Sequence, residues 1–469
     1  MQPLKKWRPI PYLLAFLGLG ILRALPEAWI GPTPIGYDAS TSYVTAFLGY
    51  DKGLGASLRS FSLLYYFFEI CRHLGFDALL TIKATGVILY VLVAGCFFLL
   101  VRDAFRWSSR FSVYATLLWA LQLDALRFSW DLYRNELGLA WAFLCLWQGL
   151  LFVRDRRPWR LAAVAALATL TFGTHQITSF ALLMFGIGAG VIALLKTHLS
   201  RRWLLVLILV TAVVWPLIAS HVQIEGFSLW SPIAPPATER LLPFNLAYLL
   251  FLPFLAGFAL IGFGGTWIPE LLLVTLLLGV QSFATILPGV HGFYLWDRWM
   301  YFFAIPLTIY ALLGIHQCVS WIRPWRLRGP IYLVVLAILV YPGLQFGLPH
   351  RTLYGENVNS AVFDIFPASI DTNAFIPNPF ERQLNKNLGS CLRSLAHIHN
   401  GSTAVVIKST YIPVAIYYAP TLAGFFTAVP PLQSYYLFDY TRSTVDGTTQ
   451  PVSGVPASCP IFFGTTSAR

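Results

Sequence analysis

LLTIKATGVILYVLVAGCFFLLVRDAFRWSSR, residues 79–110, decides the fold class. An apolar run of the length that crosses a bilayer as a helix closes on Arg102, Arg106 and Arg110. The same punctuation recurs along the chain. Basic clusters stand at Lys5/Lys6/Arg8, Arg154/Arg156/Arg157/Arg160, Lys196/Arg201/Arg202 and Arg323/Arg326/Arg328. Each follows an even number of apolar segments, so the positive-inside rule puts all of them in the cytoplasm. The same count puts Asp38, Asp131, Arg134, Glu136, His175, Asp297 and Arg298 at the outer face.

Composition agrees. Of 469 residues, 57% are hydrophobic and 11% charged, with mean hydropathy +0.66; a soluble domain carries about 25% charged residues. The runs are too long for the alternating strands of a membrane barrel, so the fold class is an α-helical polytopic membrane protein. Half of the 32 lysines and arginines lie in the clusters above. There they set topology and meet anionic membrane lipid, and the net charge of +12 needs no nucleic acid.

Eleven spans are expected, at roughly 10–30, 79–101, 111–126, 136–153, 160–175, 177–196, 203–220, 244–263, 268–288, 299–317 and 329–347. That number leaves the N-terminus cytoplasmic and the C-terminus outside. Pro11–Leu22 after the first basic cluster also fits a signal peptide. Without a clear small-residue cleavage site, an uncleaved helix is the preferred reading. The membrane domain covers residues 1–348 and includes a long first outer loop, 31–78. Leu58–Leu74 within that loop reads as an amphipathic helix on the membrane surface. A second outer loop, 221–243, is proline-rich and carries Glu225, Trp230, Glu239 and Arg240, the make-up of a lid.

Residues 349–469 lose the apolar runs and gain Asn, Ser, Thr and Pro. A small extracytoplasmic α/β domain is expected, with a helix at Leu388–His399, a strand at Thr403–Lys408, a helix at Ile412–Tyr418 and a strand at Pro460–Phe463. Cys391 and Cys459 are the only cysteines of this tail. An oxidising compartment permits a disulfide between them; the alternative is two buried free thiols.

Four polar groups invite chemistry. Asp38, in Gly36–Tyr43, is a helix cap or a functional acid; Tyr37 and Tyr43 flank it as candidates for packing on a sugar face. Asp131, Arg134 and Asn135 are three or four apart, so they share a helical face, and Asp124, seven before Asp131, joins that face if the helix is continuous. The plain alternative is a solvated, salt-bridged helix end. His175 stands at a turn in Thr174–Thr178. Asp297 and Arg298 open a span between Trp296 and Trp299; Arg298 suits a phosphate or an ion pair with Asp297. No Walker loop, nucleotide fingerprint, nucleophile elbow or zinc spacing is found.

Together these residues resemble the C-type (GT-C) superfamily of integral-membrane glycosyltransferases that use polyprenyl-phosphate sugars. The resemblance rests on an acid soon after the first helix, a long first outer loop, DLYRNELGL at 131–139, THQITSF at 174–180, DRW at 297–299 with Ala304-Ile305-Pro306 behind it, and a tail outside. It implies that one sugar moves to a hydroxyl of a glycan, lipid or protein acceptor at the outer face, in a cell envelope of prokaryotic type. It implies Asp38 as first-loop acid and Asp131, or Asp124, as the second. Arg134, His175 and Arg298 become candidates for the donor phosphate, with Glu136 and Asp297 lining the cavity. Ala39 and Ser40 follow Asp38, so there is no DxD pair; no cofactor is required, and a divalent metal stays an open alternative. An O-antigen ligase or polymerase, a non-catalytic relative presenting lipid-linked glycans, and a transporter are the other readings.

Overall fold

The computed structural model describes residues 10–29, 34, 39–48, 63–219, 223–224, 227–228, 242–286, 296–346, 389–396, 404–406, 424–426, 434–438, 450–451, 459 and 461–465. The helices of the N-terminal part are α1 (Ile10–Trp29), α2 (Val44–Leu48), α3 (Leu63–His73), α4 (Ala78–Ala104), α5 (Ser109–Ala120), α6 (Leu123–Asp131) and α7 (Tyr133–Asp155). They continue as α8 (Pro158–Phe172), α9 (Gln176–Leu195), α10 (Arg201–Ala219), α11 (Leu242–Gly265), α12 (Pro269–Phe283), α13 (Trp296–Ser320) and α14 (Trp325–Phe346). A π-helical turn, Ala39–Tyr43, leads into α2. Among the described residues, four helical stretches are long and apolar enough to cross a membrane: α4, α7, α9 and Arg298–Ser320 of α13. Shorter apolar helices are Pro158–Phe172, Phe254–Gly265 and Pro269–Phe283.

Local chemistry sets the helix ends. Gly75, at φ +78°, takes the left-handed conformation that ends α3, and Phe76 N–H bonds back to the Cys71 carbonyl. Asp77 then caps α4 by accepting the Leu80 N–H at 2.8 Å. Ser108 caps α5 through Phe111 N–H. Pro158 and Pro269 occupy the first turns of α8 and α12, where a missing N–H costs nothing. Arg106 and Arg156 follow α4 and α7 in the left-handed region, each at φ 53°.

The contacts divide the chain into two compact units. The first is Met1–Leu22, Leu89–Ser129 and Arg134–Ile365; the second is Arg23–Ile88, Trp130–Tyr133 and Phe366–Arg469. Residues 31–78 thus group with the tail.

Within the first unit α11 and α13 cross in close contact. A Cβ on Gly262 would overlap the Tyr310 carbonyl oxygen, and one on Gly314 would overlap that of Phe258. Small residues permit this backbone approach, as is usual where packing rather than water drives helix association. Phe128 of α6 packs edge-on against Tyr301 of α13. The break between α5 and α6 is held by Gln122, whose amide donates to the carbonyls of Leu118 (2.9 Å) and Leu339 of α14 (3.3 Å).

In the second unit α3 is amphipathic, as its pattern predicts. Leu64, Phe68 and Cys71 are buried, while Phe67 and Ile70 stay exposed. Tyr43 stacks on Tyr133 with ring centroids 5.0 Å apart. Two short strands of the first unit, β1 (Gln223–Ile224) and β2 (Phe227–Ser228), pair antiparallel. In the tail, β3 (Ala404–Val406), β4 (Gly424–Phe426), β5 (Ser434–Phe438), β6 (Gln450–Pro451) and β7 (Ile461–Thr465) form a sheet in the order β4-β3-β5-β7-β6. β3 runs parallel to both neighbours, with Val405 opposite Phe425 and Tyr436. β7 is antiparallel to β5 and β6. A helix over 389–396 buries Cys391, Leu392 and Leu395, and Cys391 is disulfide-bonded to Cys459 with a Cα–Cα distance of 5.6 Å. The helix expected at Ile412–Tyr418 lies outside the described residues, as do Glu225, Trp230, Glu239 and Arg240 of the expected lid.

Several boundaries differ from the sequence reading. The span expected over 111–126 is two helices, α5 and α6, bent at Leu121–Gln122. The span expected over 160–175 ends at Phe172, with Gly173 as its cap. Thr174 and His175 therefore belong to a turn. The helix expected to carry Asp131, Arg134 and Asn135 on one face is interrupted at Leu132, between α6 and α7.

Candidate functional site

Three chain segments meet around His175. The residue caps α9: its Nδ1 accepts the backbone N–H of Thr178 at 3.4 Å. Arg134, in the first turn of α7, reaches the turn from the side and donates from Nε to the Thr174 carbonyl at 3.5 Å. Arg298 opens α13. The ring is half-buried, and its enclosure lowers the imidazole pKa well below the usual 6.5. The positive charges of Arg134 and Arg298 push it further down. The imidazole is thus neutral beside two guanidiniums. Among the described residues no carboxylate pairs with Arg298.

The packing around this turn is tight. Gly138 of α7 faces Thr178, and a Cβ there would stand 3.1 Å from the threonine Cβ. Ser179 Oγ donates to the carbonyls of Thr171 (2.9 Å) and His175 (2.7 Å), tying α9 to the end of α8. Phe180 packs edge-on against the fully buried Trp299, centroids 5.9 Å apart, which fixes the start of α13 beside α9. The N-terminal end of α9 adds the partial positive charge of its free amides. Two guanidiniums, a neutral imidazole and a helix N-terminus make a set of donors suited to an anion with several acceptor oxygens, above all a phosphate.

The other candidates fall elsewhere. Asp38 and Tyr37 lie outside the described residues. Asp131 and Asp297 are placed by their backbone alone, at the last residue of α6 and the first turn of α13. Asp124 is sealed in the first unit at 0% exposure, and neither carboxyl oxygen has a hydrogen-bond partner among the described residues. Solvation does not extend to Asn135 and Glu136, which are buried. Leu132 and Tyr133 are buried as well.

Sequence reasoning missed a second polar cluster, in the second unit. Arg23 and Glu27 of α1 pair at 2.9 Å, with Arg23 1% and Glu27 5% exposed. Lys83 of α4 donates to the Glu27 carbonyl at 2.7 Å and lies 3.9 Å from its carboxylate. Gly86, one turn beyond Lys83, leaves space for two more groups. A Cβ there would sit 2.5 Å from Tyr133 Oη and 3.0 Å from Arg23 Nη2. The available signal was charge inside an otherwise apolar run, which in membrane helices marks a functional or paired position.

Among the described residues no group of three His, Cys, Asp or Glu side chains is placed to hold a metal. Comparison with family models and with curated proteins finds no match.

Proposed function

We propose that this chain is a membrane-embedded glycosyltransferase of the GT-C kind, moving one sugar from a polyprenyl-phosphate donor to an acceptor hydroxyl. The observation that carries this reading is the convergence of Arg134, His175 and Arg298 on one helix N-terminus. These are the three residues that the family resemblance assigns to the donor phosphate. In this reading about eleven helices cross the membrane, the basic clusters face the cytoplasm, and the site and the tail face outward. The membrane is the prokaryotic cytoplasmic membrane, and the exposed apolar face of α3 lies on its outer surface.

The chemistry follows from the leaving group. The acceptor oxygen attacks the anomeric carbon, and the bond from that carbon to the phosphate oxygen breaks. Asp38, as general base, takes the proton of the acceptor hydroxyl. The phosphate monoester departs with an added negative charge, which Arg134 and Arg298 stabilise without reorganisation. Asp131 positions the acceptor. The donor's lipid tail stays in the bilayer, so no nucleotide carrier is needed.

Binding of a polyprenyl-phosphate sugar to the purified protein tests the site. Arg298→Ala should weaken donor affinity by roughly 10-fold or more, the worth of a charge-assisted hydrogen bond. Arg298→Lys should restore it only in part, because the planar fork is lost. Unchanged affinity in both variants would remove the phosphate assignment.

A further inference from the structure

We infer that His175 serves its anion as a neutral hydrogen-bond donor through Nε2–H, with Thr178 as the positioning residue that sets the ring's tautomer. The geometry is specific. Thr178 presents a backbone N–H to Nδ1 at 3.4 Å, and its Oγ1 lies at 3.4 Å from the same nitrogen. A backbone N–H only donates. Nδ1 must therefore be the unprotonated nitrogen, and the ring's single proton sits on Nε2. Among the described residues Nε2 has no hydrogen-bond partner. The ring thus has one donor left over, beside two guanidiniums.

Protonation of the ring would put a hydrogen on Nδ1, facing the Thr178 N–H. It would also add a third positive charge beside Arg134 and Arg298. Both effects disfavour the imidazolium, so the ring does not carry a proton through the reaction. A neutral donor suits a phosphate oxygen and leaves the neutralising charge to the arginines. The ligand class is a phosphate monoester, whether free or as a lipid head group. The lipid-borne version rests on the donor reading above; the tautomer does not.

Two substitutions separate the ring's two nitrogens. His175→Asn keeps an acceptor close to Nδ1 and a good helix cap, but has nothing at Nε2. His175→Gln carries an amide donor near Nε2 and caps poorly. Nitrogen-15 NMR of the full chain in nanodiscs, histidine-labelled, reads the ring directly; the His175→Gln sample identifies its signal among the 9 histidines. The expected result is an Nε2–H tautomer at neutral pH whose Nε2 signal moves when inorganic phosphate or polyprenyl phosphate is added. Phosphate affinity should fall roughly 10- to 100-fold in His175→Asn and be largely kept in His175→Gln. An Nδ1–H tautomer or an imidazolium at neutral pH would overturn the inference. So would an Nε2 signal that neither phosphate source moves, or equal affinity in wild type and His175→Asn. A response to inorganic phosphate but not to the lipid form would leave the inference standing and count against the glycosyl-donor reading.

Discussion

Arg23 Nη2 lies 2.9 Å from Glu27 Oε1, one helical turn along α1, and both side chains are almost wholly buried. Lys83 closes the cluster from α4. Removing one member of a buried pair strands the other charge, which costs about 3–5 kcal/mol. Glu27→Ala should therefore lower thermal stability in detergent steeply. The double variant Arg23→Met/Glu27→Leu should recover much of that loss. A double variant no more stable than Glu27→Ala would mean that the ion pair itself, rather than the stranded charge, carries the stability.

Gly314 gives a steric prediction. A Cβ there would overlap the Phe258 carbonyl, a backbone atom that cannot swing away. Gly314→Ala should destabilise by about 1–3 kcal/mol. Gly264→Ala, on α11 where a Cβ meets nothing within 4 Å, should be neutral or slightly stabilising. Thermal unfolding of the two variants side by side checks this; equal midpoints would refute the close crossing of α11 and α13.

The Cys391–Cys459 disulfide closes a long loop, with a sequence separation of 68. Chain entropy assigns such a closure roughly 4 kcal/mol, less any native strain. Cys391→Ser should make the tail sensitive to limited proteolysis while Cys71→Ser, a buried free thiol, should not. Equal digestion rates would show that the bridge contributes little.

His175 sets a pH dependence whose sign is fixed by its depressed pKa. Above about 6.5, the usual histidine value, the ring is neutral in both folded and unfolded chains. As pH falls below that value the unfolded chain takes up a proton that the folded ring resists. Stability should decline there, by at most about 1.4 kcal/mol per pH unit for this one group. Denaturation midpoints measured from pH 7.5 down to 5 should fall less steeply in His175→Gln than in wild type. Parallel curves would mean that His175 titrates normally.

How much of this was legible in the sequence depends on the range of the forces involved. α4 was readable because its apolar length and the closing arginines are local. The strand at Ala404–Val406 was readable from its run of β-branched residues. The bend before α6 was not, because Gln122 takes one of its two acceptors from Leu339, 217 residues away. The buried setting of Asn135 and Glu136 was hidden for a similar reason: a polar helix start looks solvated from its spacing alone. Arg134, His175 and Arg298 were each nameable from sequence, and a family resemblance grouped them. No periodicity in the chain states that α7, α9 and α13 bring them together. Arg23, Glu27 and Lys83 were passed over because the partner of α1 is chosen by packing, not by spacing.

The proposed step is transfer of a sugar from a lipid phosphate, with Asp38 as the base. The most direct measurement uses the purified protein in nanodiscs, a polyprenyl-phosphate donor with a radiolabelled sugar, and a cell-envelope glycan and lipid extract as the acceptor pool. Wild type should move label to the acceptor and release polyprenyl phosphate in equal amount. Asp38→Asn should still bind donor but transfer roughly 10²–10⁴-fold more slowly, the range for loss of a general base. A wild-type protein that binds the donor and transfers nothing, or an Asp38→Asn protein that transfers at the wild-type rate, would contradict the account.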